Sequence, residues 1–202
     1  MSASRRETLE KCIRDCQAQN EFSKATTTAL DGYGPEVFGY LLAILDNRGA
    51  AEEVFSIFAE SLWVALPKFR WQSSFRTWAY SLARHALARF HEDPHRKRAT
   101  PLSQHPELSN LQAQLRTRTR SYLRTEVKNR MTALRSHLSE EDQTLLILHV
   151  DRGLSFPEVA TVLLGDDANA SQITRKTAAL RKRFERVKER LRKLAKNEGM
   201  LE

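Results

Sequence analysis

Residues 69–90 read FRWQSSFRTWAYSLARHALARF. From Phe75 onward the apolar side chains fall at Phe75, Trp78, Ala79, Leu82, Ala83, Ala86, Leu87 and Phe90. That spacing is one complete face of an α-helix. The opposite face carries Arg76, Thr77, Tyr80, Ser81, Arg84, Ala88 and His91, and a short loop bearing Trp71 precedes it. A basic and aromatic outer face suits single-stranded nucleic acid, because phosphates take the cations and unstacked bases take the rings. The same periodicity also describes an ordinary solvated amphipathic helix. Periodicity alone does not choose between the two.

Working outward from this stretch, the rest of the chain also reads as helix. No segment alternates convincingly with period two, and no glycine occurs between Gly49 and Gly153. The predicted helices are 5–18, 22–30, 34–46, 50–66, 74–91, 111–136, 140–151, 156–164 and 171–196. The 50–66 helix buries Val54, Phe55, Phe58, Leu62, Trp63 and Leu66 and stops at Pro67, which lacks the amide hydrogen that propagation needs. Residues 92–110 hold three of the six prolines, Pro94, Pro101 and Pro106, among polar neighbours. That is linker composition. The expected fold is all-α: two small helical domains joined by a flexible linker, the C-terminal one a helix-turn-helix. The domain reading is an N-terminal extension 1–30, a first domain 31–92, a linker 93–115 and a second domain 116–197.

Punctuation is clearest in the second half. Ser155-Phe156-Pro157-Glu158 is a capping box, and Leu154 and Val159 stand where a hydrophobic staple would put them. Gly165 is expected to end this helix in a left-handed conformation. The next helix sets Ile173, Thr177, Leu180, Phe184, Val187, Leu191 and Leu194 at alternating spacings of four and three. Away from that seam it presents Arg175, Ala178, Ala179 and Lys182, with Thr174 and Arg181 on one edge and Lys176 and Arg183 on the other. Arg175 and Gln172 suit base edges, alanine suits a thymine methyl, and the remaining cations suit phosphates. A solvated basic helix and a short coiled-coil strand are the plainer alternatives.

The whole chain carries 33 Lys+Arg against 25 Asp+Glu, a formal net charge of +8. Such a balance favours a polyanionic partner. Residues 1–91 hold 11 basic and 10 acidic side chains, whereas 92–202 hold 22 and 15. The general attraction to phosphate therefore sits in the second half. Cys12 and Cys16 are too few for a disulfide scaffold or a four-ligand zinc site. His91-Glu92-Asp93-Pro94-His95 spells the zinc-protease string, but Pro94 breaks the helix that would align both histidines. No metal, cofactor or catalytic residue is expected. No apolar run has the length of a signal peptide or a membrane span. The chain is therefore expected in the cytoplasm, without membrane insertion.

Three stretches together resemble the sigma-70 family of transcription-initiation subunits, and among them the extracytoplasmic-function (ECF) sigma factors. AAEEVFSIFAESLWVALPKFR (50–70) resembles the segment that binds the clamp helices of the polymerase. WQSSFRTWAYSLARHAL (71–87) resembles the loop and helix that open and hold the downstream, minus-10 element. Residues 138–165 with 175–191 resemble the helix-turn-helix that reads the upstream, minus-35 element. The resemblance implies core RNA polymerase and promoter DNA as partners, and leaves room for an anti-sigma factor. It implies no enzyme activity, since catalysis belongs to the polymerase.

Carried over position by position, the resemblance places polymerase contacts at Glu52, Glu53, Ser56, Ile57 and Glu60. It places strand opening at Trp71, Gln72, Ser73, Ser74, Arg76, Thr77, Tyr80, Arg84 and His85. Upstream reading falls to Gln172, Thr174, Arg175, Lys176, Ala178, Ala179, Arg181, Lys182 and Arg183. This chain departs from the family pattern in several places. Trp71 stands where a glycine is frequent, and His85 where an asparagine is common. Ala50 and Ser56-Ile57 replace an aspartate and a Gln-Glu pair, and the turn before 171 is longer than usual. The first 30 residues have no clear counterpart. A free-standing helix-turn-helix regulator is the alternative reading of the same residues.

Overall fold

The computed structural model describes residues 3–92, 134–165 and 167–198. All regular structure among the described residues is helical, as the periodicity predicts. The chain divides into two units, Met1–Ser121 and Tyr122–Glu202. The predicted linker at 93–115 and most of the predicted 111–136 helix lie outside the described residues.

The first unit holds α1 (Ala3–Ala18), α2 (Phe22–Leu45), α3 (Arg48–Ala65), a 3-10 turn (Leu66–Lys68) and α4 (Phe75–Glu92). Helix α2 packs against the other three, and α3 packs against α4. Their shared core contains Ile13, Leu30, Tyr33, Val37, Phe38, Leu41, Val54, Phe55, Phe58, Leu62, Phe75, Trp78 and Leu87. Removing these side chains from water is the main favourable term. Phe69 stacks on Trp78 with ring centroids 4.2 Å apart, which ties the loop before α4 to its first turn.

Two expectations are corrected here. Helix α2 is continuous from Phe22 to Leu45, whereas two helices, 22–30 and 34–46, are expected. Burial of Ala29, Leu30, Tyr33, Val37, Phe38 and Leu41 on both sides of Pro35 outweighs its missing amide hydrogen. Residues 1–30 are also no separate extension. The 30/31 boundary falls inside α2, and α1 buries Ile13 and Cys16 in the first unit's core. At Gly32 the two helices approach closely, since a Cβ there would collide with the Leu9 side chain.

The second unit holds a helical turn at 134–136, α5 (Glu140–Leu146), a π-helical turn (Ile147–Asp151), α6 (Phe156–Leu164) and α7 (Ala170–Asn197). Ser139 caps α5, accepting from Asp142 N. The predicted 140–151 helix thus runs its length but widens in its second half. Arg135 makes a paired contact with Asp151 at 2.6 and 3.0 Å, closing the π-turn onto the preceding segment. The capping box of α6 is complete, with Ser155 N donating to Glu158 Oε2 at 2.7 Å. Leu154 and Val159 are both buried, as a staple requires. Gly165 does end α6, but at φ 87° and ψ 177°. That is the mirror image of extended backbone rather than the left-handed helical region, and glycine alone reaches it easily.

Along α7 the predicted seam faces inward. Thr177, Leu180 and Val187 are buried, and Ile173, Phe184, Leu191 and Leu194 are half-buried. Leu138, Leu146 and Val187 form a small core against which Phe184 and Leu191 pack.

Candidate nucleic-acid interface

The loop before α4 is shaped by three polar anchors. Trp71 has φ 58°, a left-handed conformation that a Cβ makes costly. Its indole N–H donates to Gln17 Oε1 at 2.5 Å, and Arg14 lies over its ring at 4.3 Å. Gln17 Nε2 in turn donates to the carbonyls of Leu66 and Phe69 at 2.9 and 3.0 Å. Ser74 then opens α4: its hydroxyl accepts from Thr77 N at 3.1 Å, and its carbonyl accepts from Trp78 N. Between these anchors Gln72 is exposed and Ser73 half-buried.

Helix α4 is buried on more of its circumference than periodicity predicts. Arg76, Thr77, Tyr80 and Ser81 are all buried, against the expectation that they line an outer face. The cause lies on α2 and α1, whose sequences supply acceptors at the facing positions. Glu36 Oε1 accepts from Arg76 Nε at 2.8 Å and from the Tyr80 hydroxyl at 2.9 Å. Glu10 Oε1 accepts from Arg76 N at 3.2 Å and from the Tyr33 hydroxyl at 3.1 Å. Burial and the neighbouring Glu10 push the Tyr33 phenol well above its usual range. What α4 leaves outside begins one turn later, with Arg84 half-buried and His85, Ala88 and Arg89 exposed.

Helix α3 separates its two faces cleanly. Ala51, Val54, Phe55, Phe58, Ala59 and Leu62 point into the core. Glu52, Glu53, Ser56, Ile57 and Glu60 are all half-buried and share the opposite arc, by the i, i+3, i+4 rule. Val64 lies on that same arc and is 68% exposed. Glu52 pairs with Arg48 one turn earlier.

In the second unit, Gln172, Thr174, Arg175, Ala178, Ala179, Arg181 and Lys182 are exposed on α7, and Lys176 is half-buried. Arg183 is set apart from them. It donates to Asp142 at 2.5 Å, to Ser139 at 3.3 Å and also to Glu141. Burial works against its charge, but the bonds to Asp142 and Glu141 outweigh that and raise its pKa. Gln172 is also engaged, closing the capping box of α7 with Asn169 through two bonds of 2.9 Å.

Residues 30–97 match the family model Sigma-70 region 2. That region supports a sigma-70 family sigma factor, with a role in RNA polymerase binding and promoter recognition. No curated protein matches the chain. Region 2 spans the last two-thirds of α2, all of α3 and the whole of the loop and α4. It therefore takes in every predicted polymerase-side and strand-opening residue, while α1 and the second unit lie outside it.

Within region 2 the structure brings Trp71, Gln72, Ser73 and Ser74 together at one turn, with Arg84 and His85 farther along α4. It withdraws Arg76, Thr77 and Tyr80 into the interior, with Arg76 and Tyr80 bonded to Glu36. Sequence reasoning missed Gln17, Arg14, Glu10 and Glu36, which make the contacts that shape the loop and α4. It also missed the exposed cations Lys68 and Arg70, which flank the loop in the chain. The cations were legible as local basic residues. The other four were not, because each acts on a partner at least 40 positions away, apart from the Tyr33 contact of Glu10. His91 and Glu92 end α4, and the rest of the H-E-x-x-H string lies outside the described residues. Among the described residues no helix is long and apolar enough to cross a membrane.

Proposed function

We propose that the chain is an ECF-type sigma factor, which binds core RNA polymerase and directs promoter recognition, strand opening and initiation. The sigma-70 region 2 match over 30–97 carries the reading. The outer arc of α3, with Glu52, Glu53, Ser56, Ile57, Glu60 and Val64, is the polymerase-facing surface. Arg70, Gln72, Ser73 and Ser74 of the loop before α4, with Arg84 and His85, hold the displaced strand of the downstream element. Unstacking a base costs a few kcal/mol, which contacts at this loop must offset.

Helix α7 reads the upstream element. Arg175, Lys176, Ala178, Ala179, Arg181 and Lys182 face the duplex, with Thr174 at the edge. Between 171 and 196 there are 11 Lys+Arg against 2 Asp+Glu, so attraction to phosphate is strong and salt-dependent. Gln172 and Arg183 set the helix start and its seat on α5. Helix α6 followed by α7 has the order of a helix-turn-helix, with α7 as reader.

The test is transcription in vitro with core polymerase and this chain over a genomic library, reading the start sites. Start sites that share two spaced elements support the proposal. A core polymerase that ignores the chain overturns it, and tight binding to a two-fold symmetric duplex without polymerase would favour a free-standing regulator.

A further inference from the structure

The side chain of Gln17 reaches the 3-10 turn, the loop and the indole of Trp71 at once. Its amide nitrogen bonds the Leu66 and Phe69 carbonyls, and its amide oxygen takes the Trp71 N–H. Both carbonyls lie within five residues before Trp71, which stands at φ 58°. A tryptophan in that region is strained, and a strained residue persists only where its surroundings over-determine it. Here Gln17 supplies the polar restraint, while Arg14 and Phe69 hold the ring, at 4.3 and 4.9 Å. A glycine at 71 would reach the same bend without that strain, so it needs less restraint.

We propose that Gln17 is a positioning residue for strand opening: through its three bonds α1 holds Trp71 in the left-handed bend and so presents Gln72 and Ser73 to the unstacked base. This rests on the sigma-factor reading above. It makes α1, which lies outside region 2, part of the promoter-opening apparatus. It also gives Trp71 a different task from stacking on DNA, since its N–H and one ring face are already occupied within the protein.

The experiment uses the full chain assembled with core polymerase on the strongest start site from the genomic library, with permanganate reactivity of the bubble as readout. Gln17→Ala should lower open-complex yield about fivefold to tenfold, the effect of losing one or two net hydrogen bonds, with polymerase binding unchanged. Trp71→Ala, which keeps a Cβ and loses the indole bond, should fall similarly. Trp71→Gly should open the promoter normally and should rescue Gln17→Ala in the double variant. A purely structural role for Gln17 would not be rescued by glycine at 71. Normal opening by Gln17→Ala, or a double variant as defective as Gln17→Ala, overturns the proposal.

A wild-type chain that binds no polymerase would overturn the functional reading instead. The clamp itself is then still decided by the indole N–H resonance of Trp71. Its slow exchange with solvent should be lost in Gln17→Ala, and its retention there contradicts the clamp.

Discussion

Arg76 and Glu36 form an ion pair at the seam between α4 and α2, with side chains only 11% and 18% exposed. The same carboxylate oxygen also takes the hydroxyl of Tyr80. A cation that would be free to meet a phosphate on an exposed helix is thereby committed to the fold. Removing one partner of such a pair leaves the other charged and dry, which is the costly outcome. Glu36→Ala should therefore destabilise the first unit by about 3–5 kcal/mol in urea denaturation. Replacing the pair together by residues of similar volume should cost much less, and an equal loss would show that packing rather than charge is at stake.

Tyr33 gives the first unit a weakness at high pH. Its phenol, buried and facing Glu10, ionises later in the folded chain than in the unfolded chain. Between the two values the folded state holds the extra proton, so stability falls as pH rises. The contribution is complete below the ordinary phenol value of about 10 and is lost above it. Denaturation midpoints at pH 8 and pH 11 should differ more for the wild type than for Tyr33→Phe. A parallel fall in both would remove Tyr33 as the cause.

Arg183 and Arg175 stand two turns apart on α7 and should behave differently. Arg183→Ala frees Asp142 and Glu141 and should cost about 1–2 kcal/mol of second-unit stability, since the site is partly open to water. Arg175→Ala should leave the unfolding curve within about 0.5 kcal/mol of wild type. On the proposed function it should lower use of promoters with an intact upstream element. Equal loss on templates lacking that element would contradict the assignment.

Each end of α6 depends on a local device that a single substitution can remove, Ser155 at its start and Gly165 after its last turn. Ser155→Ala should cost about 1 kcal/mol by deleting the cap. Gly165→Ala should cost about 1–3 kcal/mol, because its conformation is strained for any side chain. Thermal unfolding followed by circular dichroism measures both. A harmless alanine at 165 would mean the turn relaxes into another path.

On the α3 arc, Val64→Glu should leave the fold intact, because the side chain is 68% exposed and the core lies on the opposite arc. If the arc is the polymerase surface, affinity for core polymerase should drop about tenfold, or ~1.4 kcal/mol. Unchanged affinity by titration would move the docking surface elsewhere.

The helices themselves were legible because their signals are local. The 50–66 and 74–91 stripes, the Ser155–Glu158 box and the α7 seam each lie within a few turns of chain. Where reading failed, a distant residue had intervened. The expected gap between the 22–30 and 34–46 helices is closed, because residues on both sides of Pro35 are buried against α1, α3 and α4. Arg76 and Tyr80 look outward on a wheel of α4, but Glu36, 40 and 44 residues earlier, turns them inward.

By itself the sequence determined the all-helical class, the positions of most helices, the basic character of α7 and the resemblance that the region 2 match supports over 30–97. These depend on spacing and composition, which are properties of neighbouring residues. Only the tertiary structure decided which polar side chains stay available to a partner and which are spent inside. That depends on which acceptor faces which donor across a helix seam, as Glu36 faces Arg76 and Gln17 faces Trp71. A buried polar group must find its partner within the fold, and the partner's position along the chain carries no trace of that encounter.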